Sequence, residues 1–428
     1  RLNMCLKLYW KSFWILNLLA AITLFICTPP VSGQTTPKIN LVSSKALSNF
    51  PKDVSFNLTV NATEKVRSIQ FFYRINSSHD WTSVVKRFDD RYHITTEFVL
   101  NTSGPNFLTP QSTIKYFYDI SDETGFTLKT KEQELKYLDP RFEWNYFTVR
   151  PLTVFYHDRP DSDIEVLIRD LAVQIETIKT MFSIENPDPI KGVVYNHRSE
   201  LSNILPDKTT IPEIYHGFAF LDQQIFLGIG LDSDLITHES SHLLLAQAMK
   251  DRKNDLPAWL QEGISSYLEP NRVSFDGHSL SNLAPPLSTM ESVPNSAIEI
   301  AYFYRKSESV VSFLIHELYP QNGLQLFQTF LFVLGNEPYP NVDKSLYQTF
   351  GITIEKLDEE WRSSFRGLTS PPRGTEIFET PSPFLFLDTW LLGGLAILVF
   401  VIVGVRFLIH KIYPGKNEEY MEPEEDDT

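Results

Sequence analysis

The chain has 428 residues and a formal net charge of −15, with 42% hydrophobic and 13% aromatic residues. This apolar content excludes a disordered polymer, and the acidic balance argues against nucleic-acid binding because no basic patch is available to neutralise phosphates. At roughly 100–200 residues per domain, the length predicts two or three domains. Both cysteines, Cys5 and Cys27, lie near the N-terminus. The remaining chain therefore has no disulfide framework and no thiolate metal site.

The first 33 residues have the pattern of an export signal. Two lysines precede an apolar run at 13–27, and Val31 and Gly33 are small enough to fit a signal peptidase. The pattern predicts a signal peptide over residues 1–33. An uncleaved membrane anchor is the alternative, although the run is short for a membrane span.

The segment 38–138 alternates apolar and polar residues, as in Val54-x-Phe56-x-Leu58-x-Val60, with turn signals between the runs. A period of two predicts β-strands. About seven short strands in ~100 residues favour an all-β sandwich of immunoglobulin or fibronectin-III type.

The pattern changes after Pro151. A helical period covers Asp161 to Phe182, short strands follow at 192–196 and within 215–228, and nearly everything from 235 to 365 has helical spacing. The sequence therefore predicts an α+β domain over residues 151–368, with a short β-sheet followed by helices.

The sequence His238-Glu239-Ser240-Ser241-His242 lies near the start of a predicted helix at 234–250. Four residues on a helix bring the two imidazoles within about 40° of one another and ~6 Å along the axis, so both can reach one ion. Glu239 can act on a water molecule without itself binding the metal. This is the arrangement that a hydrolytic zinc site requires.

A catalytic zinc also needs a third protein ligand, and Glu262 is the candidate. It follows Pro257, which is well placed in the first turn of a helix. Gly263 removes a side chain where two helices must approach closely, and Ser266 could support the ligands by a hydrogen bond. The alternatives are a histidine pair on a polar helix face or a degenerate metal site.

These motifs resemble the gluzincin zinc metallopeptidases, the thermolysin and aminopeptidase-N superfamily. More narrowly, the segments Trp259–Gly263, Tyr304–Ser307 and Gly351–Trp361 are similar to those of bacterial peptidase MA-like domains. The resemblance covers about residues 151–368.

The resemblance implies one Zn²⁺ per chain, with His238, His242 and Glu262 as ligands and Glu239 as general base. It also implies a tyrosine that stabilises the transition state, for which Tyr304 is the candidate. An ordinary helix aromatic is the alternative interpretation of that residue.

Two features bear on the substrate. Residues 223–228 could be an edge strand that aligns an extended peptide, with a loop or core strand as the alternatives. Nothing between 215 and 228 matches the Gly-x-Met-Glu-Asn strand of the aminopeptidase branch, which disfavours exopeptidase action.

The C-terminal part predicts a membrane anchor. A Pro-rich stalk at 369–388 precedes an apolar run at 389–409 that is long enough to cross ~30 Å of hydrocarbon. Basic residues follow this run, so the positive-inside rule places the acidic tail at 410–428 in the cytoplasm.

The sequence thus predicts a single-pass type I protein of the cell membrane. It would be an extracytoplasmic zinc metallopeptidase, an endopeptidase acting on a peptide or protein substrate. The alternative is a non-catalytic cell-surface binding protein that uses a zinc-stabilised scaffold, and a glycan-binding protein is a third reading. Glu239 favours catalysis because a scaffold has no use for that base. The sequence leaves the oligomeric state open.

Overall fold

The computed structural model describes residues 38–365, except residues 77, 79, 206–215, 251–255, 273–276 and 337–340. The predicted signal peptide, stalk, membrane span and acidic tail lie outside the described residues. Among the helices within the described part, none is both long enough and apolar enough to cross a membrane.

The N-terminal part is a six-stranded, β-sandwich-like sheet. Its strands are β1 (Ile39–Asn49), β2 (Asp53–Ile75), β3 (Thr82–Asn101), β4 (Ser112–Asp122), β5 (Thr127–Lys129) and β6 (Gln133–Tyr137). All of its pairings are antiparallel. The alternation seen in the sequence is confirmed, because the apolar residues 54, 56, 58 and 60 are fully buried in one core.

The long strand β2 connects the two halves of this sheet. Its first half pairs with β1 and β3, and its second half pairs with β3 and β4. The register shifts between Asn61 and Ser68. Such irregularities bend and twist a strand, which lets one strand serve both halves.

A second, mixed sheet has the order β10-β11-β9-β8-β7. Its strands are β7 (Asn145–Val149), β8 (Leu152–Tyr156), β9 (Ile190–Tyr195), β10 (Gly217–Phe220) and β11 (Ile225–Ile229). Strands β8, β9 and β11 are parallel neighbours, and β7 and β10 are antiparallel at the two edges. Helix α1 (Asp161–Phe182) makes the crossover that parallel β8 and β9 require.

The remaining chain is helical, as the sequence predicts. The helices are α2 (Arg198–Ser202), α3 (Ser233–Met249), α4 (Ala258–Leu268), α5 (Gly277–Leu283), α6 (Ala297–His316), α7 (Gly323–Asn336), α8 (Val342–Phe350) and α9 (Ile354–Ser364). They share one hydrophobic core with the second sheet. Helix α3 is buried on nearly every face, since it packs on the sheet and on α1, α4 and α7. It is therefore the central helix of this part of the molecule.

Candidate metal centre

Helix α3 places the two motif histidines on one buried face. Its N-cap, Asp232, accepts hydrogen bonds from the backbone N–H groups of Asp234 and Leu235 at 2.9 and 3.2 Å, which fixes the start of the helix. His238 and His242 follow at 1% and 2% exposure. Their Nε2 atoms lie 3.2 Å apart, so both rings point to the same place.

Helix α4 brings Glu262 to these two nitrogens. One carboxylate oxygen of Glu262 lies 3.3 Å from His238 Nε2, and the other lies 3.6 Å from His242 Nε2. Bonds of ~2.0–2.1 Å to a tetrahedral zinc would set its ligand atoms about 3.4 Å apart. The three residues therefore fit a zinc ion in spacing and donor type, and they form a cluster that could hold a metal.

The close approach of helices that the sequence predicts at Gly263 is confirmed. A Cβ atom at this position would lie 2.4 Å from the backbone oxygen of Ser307 on α6. No side chain fits there, so only glycine lets α4 and α6 meet next to Glu262.

A second carboxylate, that of Glu269, orients His238. Its Oε1 lies 2.7 Å from His238 Nδ1, on the opposite side of the ring from the cluster. This contact directs Nε2 toward the metal position, as outer carboxylates do for metal-bound histidines. Sequence reasoning missed this residue and suggested Ser266, one turn earlier.

His242 is supported by serines instead. Ser265 Oγ lies 3.4 Å from His242 Nδ1 and accepts a hydrogen bond from Ser241 Oγ at 2.6 Å. All three residues are buried. The supporting serine is thus Ser265, which faces α3, and Ser266 was the wrong choice.

Glu239 lies beside the cluster with its carboxylate in a confined space. It is 1% exposed, and a Cβ atom at Gly217 of β10 would lie 2.3 Å from its Oε1. Its Oε2 is buried and has no hydrogen-bond partner among the described residues. Burial raises the pKa of Glu239 to about 8. A carboxyl group with this pKa and a free oxygen can accept and return a proton near neutral pH.

The ligand residues have shifted pKa values as well. Burial lowers the pKa of His242, which favours the neutral imidazole that a metal requires. Burial alone would raise the pKa of Glu262, but the two histidines lower it to about 2. Burial likewise opposes a charge on His238, yet the carboxylates of Glu262 and Glu269 outweigh it and raise its pKa. The electrostatic field at this point favours a cation, as a zinc site requires.

Tyr304 lies on α6, one turn before Ser307, and is half-buried against the core. Because α6 packs on α4 at Gly263, Tyr304 lies on the helix next to the one that carries Glu262. Its role in stabilising a transition state stays a prediction.

The strand suggested as a sheet edge is not at the edge. Residues 225–229 form β11, which pairs with β10 on one side and β9 on the other. The strand at this edge of the described sheet is β10, which lies beside β11 because the chain folds back at residues 221–224. The sequence predicts short strands in this segment but not their order in the sheet.

The family model of the peptidase MA superfamily matches residues 174–367. The match includes α3, α4 and α6 and is consistent with a gluzincin-like peptidase MA domain. It confirms the resemblance found from the motifs. The search of curated proteins found no match.

Several solved structures are similar to parts of the chain. OgpA from Akkermansia muciniphila is 9% identical over 24% of this chain and 30% of its own, with a TM-score of 0.20. The catalytically inactive OgpA in complex with an O-glycopeptide substrate is 10% identical over 29% and 32% of the two chains, with a TM-score of 0.20. BC0361, a polysaccharide deacetylase from Bacillus cereus, is 9% identical over 48% and 67%, with a TM-score of 0.20. The chain spans about a third of OgpA, and similarities this low carry no argument about function.

Proposed function

We propose that this protein is a zinc-dependent peptidase that hydrolyses peptide bonds. The observation that carries the proposal is the buried cluster of His238, His242 and Glu262, with the free carboxylate oxygen of Glu239 beside it. His238, His242 and Glu262 would supply three protein ligands, the number that catalytic zinc sites use. The match to a peptidase superfamily supports the same reaction class.

His238, His242 and Glu262 would hold a zinc ion, which would supply a Lewis acid to polarise the scissile carbonyl and lower the pKa of water. Glu239 takes the proton of the attacking water and delivers it to the leaving amine. Its burial prepares it for both steps, because a raised pKa makes it a stronger base than an exposed carboxylate. Tyr304 is the proposed donor to the developing oxyanion, in the role that the family resemblance implies.

The substrate is proposed to be an extended peptide that binds along β10. This strand pairs only with β11 among the described residues, so its other edge can accept main-chain hydrogen bonds. It also passes Glu239 at Gly217. A peptide bound along an open edge can extend in both directions, and this favours an endopeptidase.

The protein is further proposed to be anchored in the cell membrane by residues 389–409, with the peptidase outside. This part of the proposal rests on the apolar run and the basic residues that follow it in the sequence.

The test is cleavage of a mixture of internally quenched fluorescent peptides by the full-length chain in detergent, with the zinc content of each sample measured. Glu239→Gln should retain zinc and lose activity by about 10²–10⁴-fold, the range expected for a general base. Glu176→Gln, an exposed carboxylate of α1, is the matched control and should behave as wild type. Equal cleavage by wild type and Glu239→Gln would contradict the mechanism, and a wild-type protein without zinc would contradict the site.

A further inference from the structure

The N-terminal part contacts the turn that joins β10 to β11 through the connections between its strands, and Gln223 is the centre of this contact. Its side-chain Oε1 accepts hydrogen bonds from the backbone N and the hydroxyl of Thr109 at 2.9 and 2.8 Å. Its Nε2 donates to the backbone oxygen of Phe107 at 2.9 Å, and its own backbone oxygen accepts a hydrogen bond from Asn76 at 2.8 Å. Four hydrogen bonds therefore join this one residue to connecting segments of the N-terminal part.

The contact is partly buried, and its partners on the N-terminal side are the more enclosed. Thr109 is fully buried, and the ring of Phe107 packs on Phe220 at a centroid distance of 5.2 Å. Water cannot readily take the place of a lost partner at such a position. The turn itself includes a non-glycine residue in the left-handed region, Gln224 with φ of +54°. Such a conformation persists where its surroundings hold it.

The two ends of β10 have different neighbours. At its C-terminal end, Phe220 packs on Phe107 of the N-terminal part. At its N-terminal end, Gly217 lies so close to Glu239 that a Cβ atom would clash. In the described sheet β10 is paired on one side only, so its position depends on β11, on helix α3 packed against it and on these end contacts.

We propose that Gln223 is a positioning residue, through which the N-terminal sheet holds the edge strand β10 in place beside Glu239. This inference rests on the proposed function, since the strand matters for catalysis only if it binds the peptide. In this account the N-terminal part completes the peptidase site and is more than a separate binding module.

The test compares Gln223→Ala with a matched control in the full-length chain. Lys191→Met also removes a hydrogen bond between the two parts, from Lys191 Nζ to the backbone oxygen of Gln111 at 2.7 Å. Lys191 lies on β9, which is held by strands on both sides, so its loss should not move β10. Both variants lose stability, and only Gln223→Ala should affect the site.

Gln223→Ala should lower kcat/KM for the quenched peptides by about tenfold, mainly through KM, with zinc content unchanged. A fully misplaced site could cost on the order of 100-fold. Lys191→Met should keep the wild-type kcat/KM. Thr109→Val on top of Gln223→Ala should add little further loss of kcat/KM, because the hydrogen bond between the two side chains is already lost in Gln223→Ala.

Hydrogen exchange of the amides of residues 217–220 gives a readout that does not need activity. It should become faster in Gln223→Ala and stay at the wild-type rate in Lys191→Met. Unchanged exchange and unchanged kcat/KM in Gln223→Ala would overturn the inference, as would an equal loss in Lys191→Met. If wild type cleaves no peptide, the proposed function fails, and the exchange rates alone decide whether Gln223 positions β10.

Discussion

Three carboxyl groups, two of them buried and one half-buried, surround the candidate metal centre, and their different surroundings suit them to different tasks. Glu262 faces two histidines, which lower its pKa to about 2 and keep it ionised, as a metal ligand must be. For Glu239 burial outweighs the charge of His238 and raises the pKa to about 8. Glu269 contacts the outer nitrogen of His238. Groups of one chemical type with pKa values this far apart are typical of sites that separate ligand and base roles.

At the residue scale, Glu269→Gln should weaken zinc binding by about 10–100-fold. This is the usual effect of removing a group that hydrogen-bonds to a metal-binding histidine. Glutamine can still accept a hydrogen bond from His238 but lacks the charge that strengthens it. Competition with a chelator measures this affinity.

Glu308→Gln is the matched control, since that carboxylate lies near Arg272 and has no contact with His238 among the described residues. An unchanged affinity in Glu269→Gln would show that His238 needs no outer partner.

A buried lysine predicts a dependence of stability on pH. Lys306 is fully buried beside Asp358, and burial lowers its pKa from 10.5 to about 8 in the folded protein. Below pH 8 it is protonated in both states. Between pH 8 and 10.5 the unfolded chain holds the proton more often than the folded protein does. The free energy of unfolding should therefore increase as the pH rises through this range.

Denaturant unfolding at pH 7.5 and pH 9.5 tests this effect in wild type and Lys306→Met. The gain at pH 9.5 should disappear in the variant, in which Asp358 keeps its ion pair with Arg362. Lys131→Met, at an exposed lysine, is the control and should keep the increase in the free energy of unfolding at pH 9.5. The same pH dependence in Lys306→Met and wild type would contradict the assignment.

At the element scale, the site depends on how closely α4 and α6 pack. Glycine is normally unfavourable inside a helix by about 1 kcal/mol relative to alanine. Its presence at Gly263 is explained by the backbone of Ser307, which leaves no space for a Cβ atom. Here the tertiary contact outweighs the helix propensity.

Gly263→Ala should therefore destabilise the protein by about 1–3 kcal/mol, as overpacking does, although the same change in an exposed helix would stabilise it. It should also lower zinc affinity, because Glu262 is the adjacent residue. Thermal or denaturant unfolding measures the first effect. Ser266→Ala, on the more exposed face of the same helix, should change stability by less than about 0.5 kcal/mol. A Gly263→Ala variant as stable as wild type would show that the helices can separate freely.

Local patterns predicted much of the fold and the cluster. The helical period gave α1 with its observed ends, and the spacing of His238 and His242 gave one shared face. The sequence also predicts that two helices approach closely at Gly263, as they do. These features depend on residues close in sequence or on a strong packing constraint.

Other features depend on contacts between distant segments and could not be predicted. Glu269 lies just beyond the end of α4 and meets His238 only because of the angle at which α3 and α4 pack. The order of β10 and β11 in the sheet follows from the parallel pairing of β11 with β9. The choice between Ser265 and Ser266 required the orientation of α4, because the residues are adjacent in the sequence.

At the scale of the whole molecule, two hydrophobic cores are joined through the Gln223 contact and the ring of Phe50, which packs against both.

The proposed membrane anchor can be tested separately from the peptidase activity. Full-length protein should stay with membranes after an alkaline carbonate wash, and added protease should digest the peptidase part in intact cells while leaving the tail at 410–428 protected.

Deleting residues 389–409 should release the protein from the membrane, whereas deleting the stalk at 369–388 should leave it bound. A full-length chain that is washed off by carbonate would contradict the anchor without affecting the peptidase proposal.

The measurement that tests the central claim most directly is the zinc content of the purified full-length chain after dialysis, with and without the ligand substitution Glu262→Ala. The account predicts about one zinc per wild-type chain and a large loss in Glu262→Ala, while the exposed-site control Glu176→Gln retains the ion. A wild-type chain that binds no zinc, or a Glu262→Ala chain that binds it as tightly as wild type, would contradict the assignment of His238, His242 and Glu262 as a metal centre.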